Sequence, residues 1–388
     1  MRIISFILYS VVIFQFFSKG NAKPESTLNS VQSKSSAQSL KEKFIQAQKE
    51  TMVRLVFSDV DGTLVHYPSE TRESKEGNKI ISLPASSTGM RGIISSKTLT
   101  LCQELRRMKN TKLVLVSGMR TSTLIKRLPY LPKADAYASE GGGRIFYCDE
   151  DPTKDDTCII PVQFDGATED DLKPFTLRED EYWRKKMSDD GAGSDGYKGD
   201  VMDVFLGKQK KDSEIIPLNN RNGPLWDFAR DLQRRGFVID YNGYTNSFRV
   251  NKKQQTKITD DEFQMLKSMD FASYGLGSSV NLGCVDFYPE TSGKKNCCGY
   301  LASHFNEQKV DVKDLLESCI CLCDDDNDLE MADACGRVFL PSISSKSMQD
   351  AASRSPNKIL IVEDMAKGIF ETSATEVAIS SAMTELMN

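Results

Sequence analysis

Four short segments of this 388-residue chain carry side chains whose types and spacing could do chemistry. Asp59-Val60-Asp61-Gly62-Thr63-Leu64 closes an apolar run at 53–58. Two carboxylates at i and i+2 leave an extended strand on the same side, and Gly62 permits a turn and a close backbone approach. Such a pair repels unless a cation or a shared proton sits between its members. Oxygen ligands of this kind favour a hard divalent ion, Mg²⁺. Ser117-Gly118-Met119-Arg120 closes a second run at 112–117, where a hydroxyl, a glycine and a helix start would suit a phosphate. Asp324-Asp325-Asp326-Asn327-Asp328 closes a third, CICLC at 319–323, and so much acid after a buried strand calls for a cation. Lys294 and Lys295 precede a helical stretch at 296–305; cations at a helix start oppose its dipole, so a neighbouring anion would explain at least one of them. Taken singly, each segment also reads as an ordinary acidic turn, serine cap or solvated lysine pair.

These segments need a scaffold that brings them together. Strand-like runs occur at 53–58, 112–117, 143–147 and 319–323, and helical patterns lie between some of them, with Leu99, Cys102 and Leu105 in 95–108 at three-residue spacing. TSTLIKRL follows the second run and NDLEMADACG the fourth. Alternating strands and helices predict an α/β fold with a parallel sheet covered on both faces, and ligands bind such sheets beyond the carboxyl ends of the strands. The alternation breaks at 149–288. There VMDVFLG, FVIDYNGYTNSFRVN and SSVNLGCVDFYP read as strands with turns, and LWDFARDLQRR and DEFQMLKSM as helices, giving an inserted α+β module. A second, polar insertion at 66–94 follows the first strand, in the place of a flap.

The four segments, in this order, resemble the motif set of the haloacid dehalogenase-like phosphatase superfamily: DVDGT first, VSG second, a lysine third, DDDND fourth. The 149–288 insertion resembles the large cap of its Cof-like and sucrose-phosphatase-like branch, as does FYPETSGKKNCCGYL, in which Pro289 stands five residues before Lys294. ASEGGGRIFY (138–147) is similar to that branch's strand entry into the cap. The resemblance covers about 53–386. It implies a Rossmann-like core in two parts, 51–148 and 289–388, with the α+β cap at 149–288 between them. It also implies a Mg²⁺-dependent phosphatase acting on a small phosphorylated metabolite, a sugar phosphate first among them. Asp59 would be the nucleophile and Asp61 the acid and base. Ser117 and the Gly118 amide would hold phosphoryl oxygens, and Lys294 would offset charge. Mg²⁺ would bind Asp59, Asp61 through its carbonyl, and Asp324, with Asp328 holding one of the ion's waters and Asn327 orienting the site. Arg120 and Arg249 are candidate substrate contacts, with Asn242, Tyr244 and Asn281 for the leaving group. A sugar phosphomutase sharing the aspartyl-phosphate, and a non-catalytic membrane-tethered binding protein, are the alternatives.

Composition narrows the classes. The chain is 39% hydrophobic and 27% charged with net charge −5, enough to bury a core. A mean hydropathy of −0.40 excludes a multi-pass membrane protein. No basic block stands out, which disfavours nucleic-acid partners. Two histidines, His66 and His304, exclude histidine-ligated zinc hydrolases and disfavour a Ser-His-Asp triad. Residues 1–22 read as a signal peptide, or as an anchor if uncleaved, and 23–50 as a flexible linker, so the chain is expected to enter the secretory pathway, with secreted, endomembrane and plastid destinations all open. Membrane contact is expected only through an uncleaved anchor. The ten cysteines do not form the pattern of a secreted disulfide scaffold; CICLC reads as a buried, reduced strand face.

Overall fold

The four apolar runs each become strands of one eight-stranded sheet. The computed structural model describes residues 52–67, 79–85, 89, 91–149, 158–193, 216–281, 283–306, 310–343, 345–362 and 371–387. The readings of 1–22, 23–50 and VMDVFLG at 201–207 lie outside these residues. In chain order the strands are β1 (Arg54–Ser58), β2 (Ile80–Ser82), β3 (Ile93–Ser95), β4 (Thr111–Val116), β5 (Ala136–Ser139), β6 (Arg144–Asp149), β7 (Thr176–Glu179), β8 (Phe248–Asn251), β9 (Leu276–Asn281), β10 (Cys284–Pro289), β11 (Ile320–Leu322), β12 (Arg337–Leu340) and β13 (Ile359–Ile361).

The main sheet has the order β13-β12-β11-β1-β4-β5-β6-β7. Strands β13 to β5 run parallel; beyond them β6 runs antiparallel to β5, and β7, at the edge, antiparallel to β6. The run at 143–147 is thus a strand, but a returning one. It follows β5 by a tight turn in which Gly141 and Gly142 take positive φ of 66° and 96°. That leaves no room for the crossover a parallel partner needs. Thr176–Glu179 joins this sheet from within 149–288. Strands β5, β12 and β13 carry weak sequence signals: AYAS is mostly small residues, and the other two are only four and three residues long.

β1 sits between β4 and β11, buried on both faces, which is why it reads as an unbroken apolar run. One face packs against the helix Ser96–Arg107 through Leu99, Cys102 and Leu105, and against the C-terminal helix Glu371–Met387 through Ala378, Ile379 and Ala382. The Ser95 hydroxyl caps the first of these by accepting the Thr98 amide at 3.0 Å. Helix Lys294–Asn306 inserts Cys297, Cys298, Leu301 and Ala302 into a fully buried layer that Leu315 and Met331 also join. Cys319, Cys321 and Cys323 are buried as expected of CICLC.

A second layer has its own core. β8-β10-β9 forms a three-stranded antiparallel sheet, covered by helices Pro224–Arg234 and Asp260–Ser268. Pro224 at the first helical position and the Thr259–Glu262 capping box start these helices where the sequence placed them. Phe248 and Phe287 stack at 4.9 Å between centroids, and Phe228 meets Phe287 edge-on at 5.3 Å. Only Phe248–Asn251 of the 237–251 stretch is a strand. A turn at Asn242-Gly243 (φ 74° at Gly243) brings Asp240 back to pair with Arg249. Within 66–94, β2 and β3 pair antiparallel; 68–78 lie outside the described residues.

Candidate active site

The three motif-bearing strands β4, β1 and β11 are adjacent and parallel, so their carboxyl ends open onto one edge. The lysine arrives from the start of the helix that follows β10. Lys294 Nζ donates to Asp59 Oδ1 at 2.6 Å and to Asp328 Oδ1 at 2.5 Å. All three side chains are buried. Burial alone lowers an ammonium's pKa, but the Asp328 and Asp59 carboxylates outweigh it and hold Lys294 charged, well above its ordinary value. Lys295, its neighbour, is exposed.

Asp59, Asp324 and Asp328 each offer an oxygen within 4.8 Å of the others. Burial, reinforced by the Asp328 carboxylate against the pull of Lys294, pushes the Asp59 carboxyl up to about 8. Burial and the Asp59 and Asp328 charges push Asp324 up to about 9. Fully ionised, three buried carboxylates facing one ammonium would lack two positive charges. The donor set is all oxygen and clustered within one coordination reach, so it fits a hard divalent cation. Local geometry is built around it. Thr63 Oγ1 donates to Asp324 Oδ1 at 2.8 Å. Gly62 has φ 90°, and a Cβ there would stand 2.0 Å from Asp324 Oδ2. The glycine of DVDGT is therefore required twice, by its backbone angle and by the carboxylate lying against it.

The remaining expected residues are distributed as follows. Ser117 is buried and its Oγ accepts the Met119 amide at 3.2 Å, so it shapes the turn. Gly118 lines a cleft with Lys294 and Asn327. A Cβ on Gly118 would meet Asn281 Nδ2 at 3.2 Å, so the glycine lets the second layer close on this turn. Asp59 does not line the cleft; Lys294, which does, connects it to the wall. Asp61 points to Arg127 and Tyr67. Arg120 and Arg249 are not in the cleft wall. Arg120 Nη2 lies 2.5 Å from Asp240 Oδ1, and its guanidinium sits 4.8 Å over the Tyr244 ring. Arg249 faces Asp286 across the β8–β10 pair and binds it with two bonds, at 2.5 and 2.7 Å. Tyr244 is buried and Asn242 lies on the turn before it.

Residues the sequence did not single out complete the cleft. Ser247, Ser279, Asp286 and Tyr288 come from the second layer, and Glu140 and Gly141 from the turn after β5. Glu140 is a buried carboxylate on a non-glycine residue with φ 56°. Its Oε2 accepts the backbone amides of Thr245 and Asn246 at 2.9 and 2.8 Å, and its Oε1 accepts Thr121 Oγ1 at 3.0 Å. With Arg120–Asp240 it ties the main sheet's edge to the second layer. A charged residue amid the glycines of ASEGGG was the available signal.

Four separated segments thus meet in the motif order DVDGT, VSG, Lys, DDDND at the tips of a mostly parallel sheet. This is the arrangement that the resemblance to the haloacid dehalogenase-like superfamily implies. No protein-family model and no curated protein matches the chain. Among solved structures it is similar to the sucrose-phosphatase from Synechocystis, at 14% identity over 87% of this chain and 98% of that one, with a TM-score of 0.46. It is also similar to a haloacid dehalogenase-like hydrolase from Bacillus subtilis, at 13% identity over 87% and 93% with a TM-score of 0.44. A third is the trehalose-6-phosphate phosphatase from Aspergillus fumigatus, at 14% identity over 88% and 97% with a TM-score of 0.38.

Proposed function

We propose that the protein is a Mg²⁺-dependent phosphomonoesterase acting on a small phosphorylated metabolite through an aspartyl-phosphate on Asp59. The observation that carries this reading is Lys294 Nζ bridging Asp59 and Asp328, with Asp324 inside the same coordination reach. Asp59, Asp324 and Asp328 would hold Mg²⁺, together with the Asp61 carbonyl. When bound, the ion supplies the positive charge that lets a phosphate dianion enter an acidic pocket and keeps the carboxylates ionised.

Asp59 attacks phosphorus in line as the ester P–O bond breaks. Lys294 favours the ionised form of the attacking carboxylate, orients it, and neutralises charge that would repel the ester. The Gly118 turn offers backbone donors to phosphoryl oxygens. Asp61 gives its proton to the departing alkoxide, then takes one from the water that cleaves the aspartyl-phosphate.

The second layer acts as the cap. It closes one side of the cleft with two serine hydroxyls, a tyrosine and a carboxylate already satisfied by Arg249. Hydroxyl-rich walls that show no spare cation among the described residues suit a neutral, polyhydroxylated leaving group, hence a sugar monophosphate. The test is phosphate release by purified protein from a panel of sugar phosphates, with Mg²⁺ and with a chelator. Mg²⁺-dependent release is expected; no release from any ester overturns the proposal.

A further inference from the structure

The Asp61 carboxylate is held by one oxygen. Its Oδ1 accepts Arg127 Nη1 at 2.8 Å and the Tyr67 phenol. Arg127 Nη1 also reaches the Tyr67 oxygen at 2.8 Å, closing a triangle of three groups. Oδ2 has no hydrogen-bond partner among the described residues, and the side chain is 30% exposed. One oxygen is thus fixed and the other is open.

Holding it this way is costly, because Arg127 is fully buried. It lies at the end of helix Thr121–Arg127. Its Nε donates to the Pro84 carbonyl at 3.3 Å, and its guanidinium lies 5.8 Å from the Tyr67 ring centroid. Nη2 is a buried donor with no hydrogen-bond partner among the described residues. An apolar side chain would fill this space without that penalty. What the arginine obtains in return is a carboxylate that water could otherwise have solvated. Burial, with Asp61 beside it, keeps the Tyr67 phenol protonated, so it serves as a donor. Tyr67 and Pro84 both belong to the 66–94 insertion. The insertion therefore brings two groups to Arg127, and Arg127 and Tyr67 together fix the Asp61 carboxylate.

We propose that Tyr67 and Arg127 are positioning residues that grip Asp61 by Oδ1 and so present Oδ2 for proton transfer. This rests on the phosphomonoesterase reading. As the Asp59–phosphorus bond forms and the ester P–O bond breaks, the proton on Asp61 Oδ2 passes to the ester oxygen. In the second half, Oδ2 takes a proton from water while the water oxygen bonds to phosphorus and the Asp59–phosphorus bond breaks. Neither Tyr67 nor Arg127 gains or loses a proton.

The discriminating experiment uses two esters: an alkyl phosphate such as glucose 6-phosphate, whose leaving group needs a proton, and p-nitrophenyl phosphate, whose leaving group does not. For Tyr67→Phe, which keeps the ring, kcat/KM for the alkyl ester should fall about 10-fold or more, since general acid catalysis contributes about 10²–10⁴. For the aryl ester it should change by less than about 3-fold, with KM for both near wild type. Arg127→Lys, which keeps the charge but loses the fork, should show the same split. Equal losses on both esters would mean a structural role, and no loss would mean an idle contact; either overturns the proposal. A wild-type protein that hydrolyses neither ester overturns the phosphatase reading and this inference with it.

Discussion

Gly62→Ala separates a glycine needed for its backbone from one needed for the room it leaves. At Gly62 φ is 90°, and an added Cβ would stand 2.0 Å from Asp324 Oδ2, where ordinary contact begins near 3.4 Å. The carboxylate must retreat by about 1.4 Å, against the hydrogen bond that Thr63 gives its other oxygen. Mg²⁺ demands near-ideal octahedral geometry, so a ligand displaced this far is effectively lost. A misplacement of about 1 Å typically costs on the order of 10² in rate. The left-handed backbone adds about 1–2 kcal/mol of instability. Gly275→Ala is the matched control: φ is 68°, and nothing lies within 4 Å of its Cβ. Phosphate release should be measured against Mg²⁺ concentration, with thermal melts of both variants. Gly62→Ala should lose roughly 10²-fold in kcat and need about 10-fold more Mg²⁺, while Gly275→Ala keeps wild-type kinetics at a similar loss of stability. Wild-type Mg²⁺ dependence in Gly62→Ala would refute the assignment of Asp324 to the ion.

Three further outcomes follow from buried charge. Burial pushes Asp59 up to about 8 and Asp324 up to about 9, so without a cation the folded chain keeps protons that the unfolded carboxylates, near 3.8, have lost. These groups then contribute stability that is complete below about 3.8 and is lost as pH rises through 8–9. Mg²⁺ replaces those protons, so its stabilisation in thermal melts should grow between pH 6 and pH 9, and a gain independent of pH would contradict this. His66 behaves in the opposite sense: burial lowers it to about 4 from 6.5. Its neutral form donates through Nε2 to Thr375 Oγ1 at 2.7 Å, because that hydroxyl already gives its proton to the Thr63 carbonyl. Below pH 6.5 the unfolded chain binds a proton that the folded chain refuses, so stability should fall by about 3 kcal/mol toward pH 4. His66→Gln should flatten the denaturant-midpoint profile over that window; a parallel curve refutes it. Glu140→Ala strands the Thr245 and Asn246 amides and should cost about 1–3 kcal/mol for each group left buried, with a raised KM as the second layer loosens. An unchanged melting temperature would contradict that role.

Much of this was legible in the sequence because buried parallel strands announce themselves. Runs 53–58, 112–117 and 319–323 are apolar on both faces, and each ends in the polar motif that function needs. The lysine could be chosen over its neighbour only by resemblance, through its distance from Pro289; the structure puts Lys294 inside and Lys295 outside. What stayed hidden was pairing across space. Arg120 and Arg249 look like anion binders in a sequence, since nothing local reveals that Asp240 and Asp286 neutralise them. Tyr67, Arg127 and Glu140 escaped for the same reason: their partners are between 6 and 106 residues away. Strand β6 reverses direction because a short glycine turn decides it, a feature that hydrophobic patterning does not encode.

The central claim is that Asp59 becomes phosphorylated. Wild-type protein quenched during turnover with Mg²⁺ and its substrate should be reduced with borohydride, which converts an aspartyl-phosphate to homoserine, and its peptides mapped by mass spectrometry. Homoserine at position 59, absent when substrate is omitted, is the expected result. Homoserine at another aspartate, or none at position 59 in protein quenched while it hydrolyses its substrate, would contradict it.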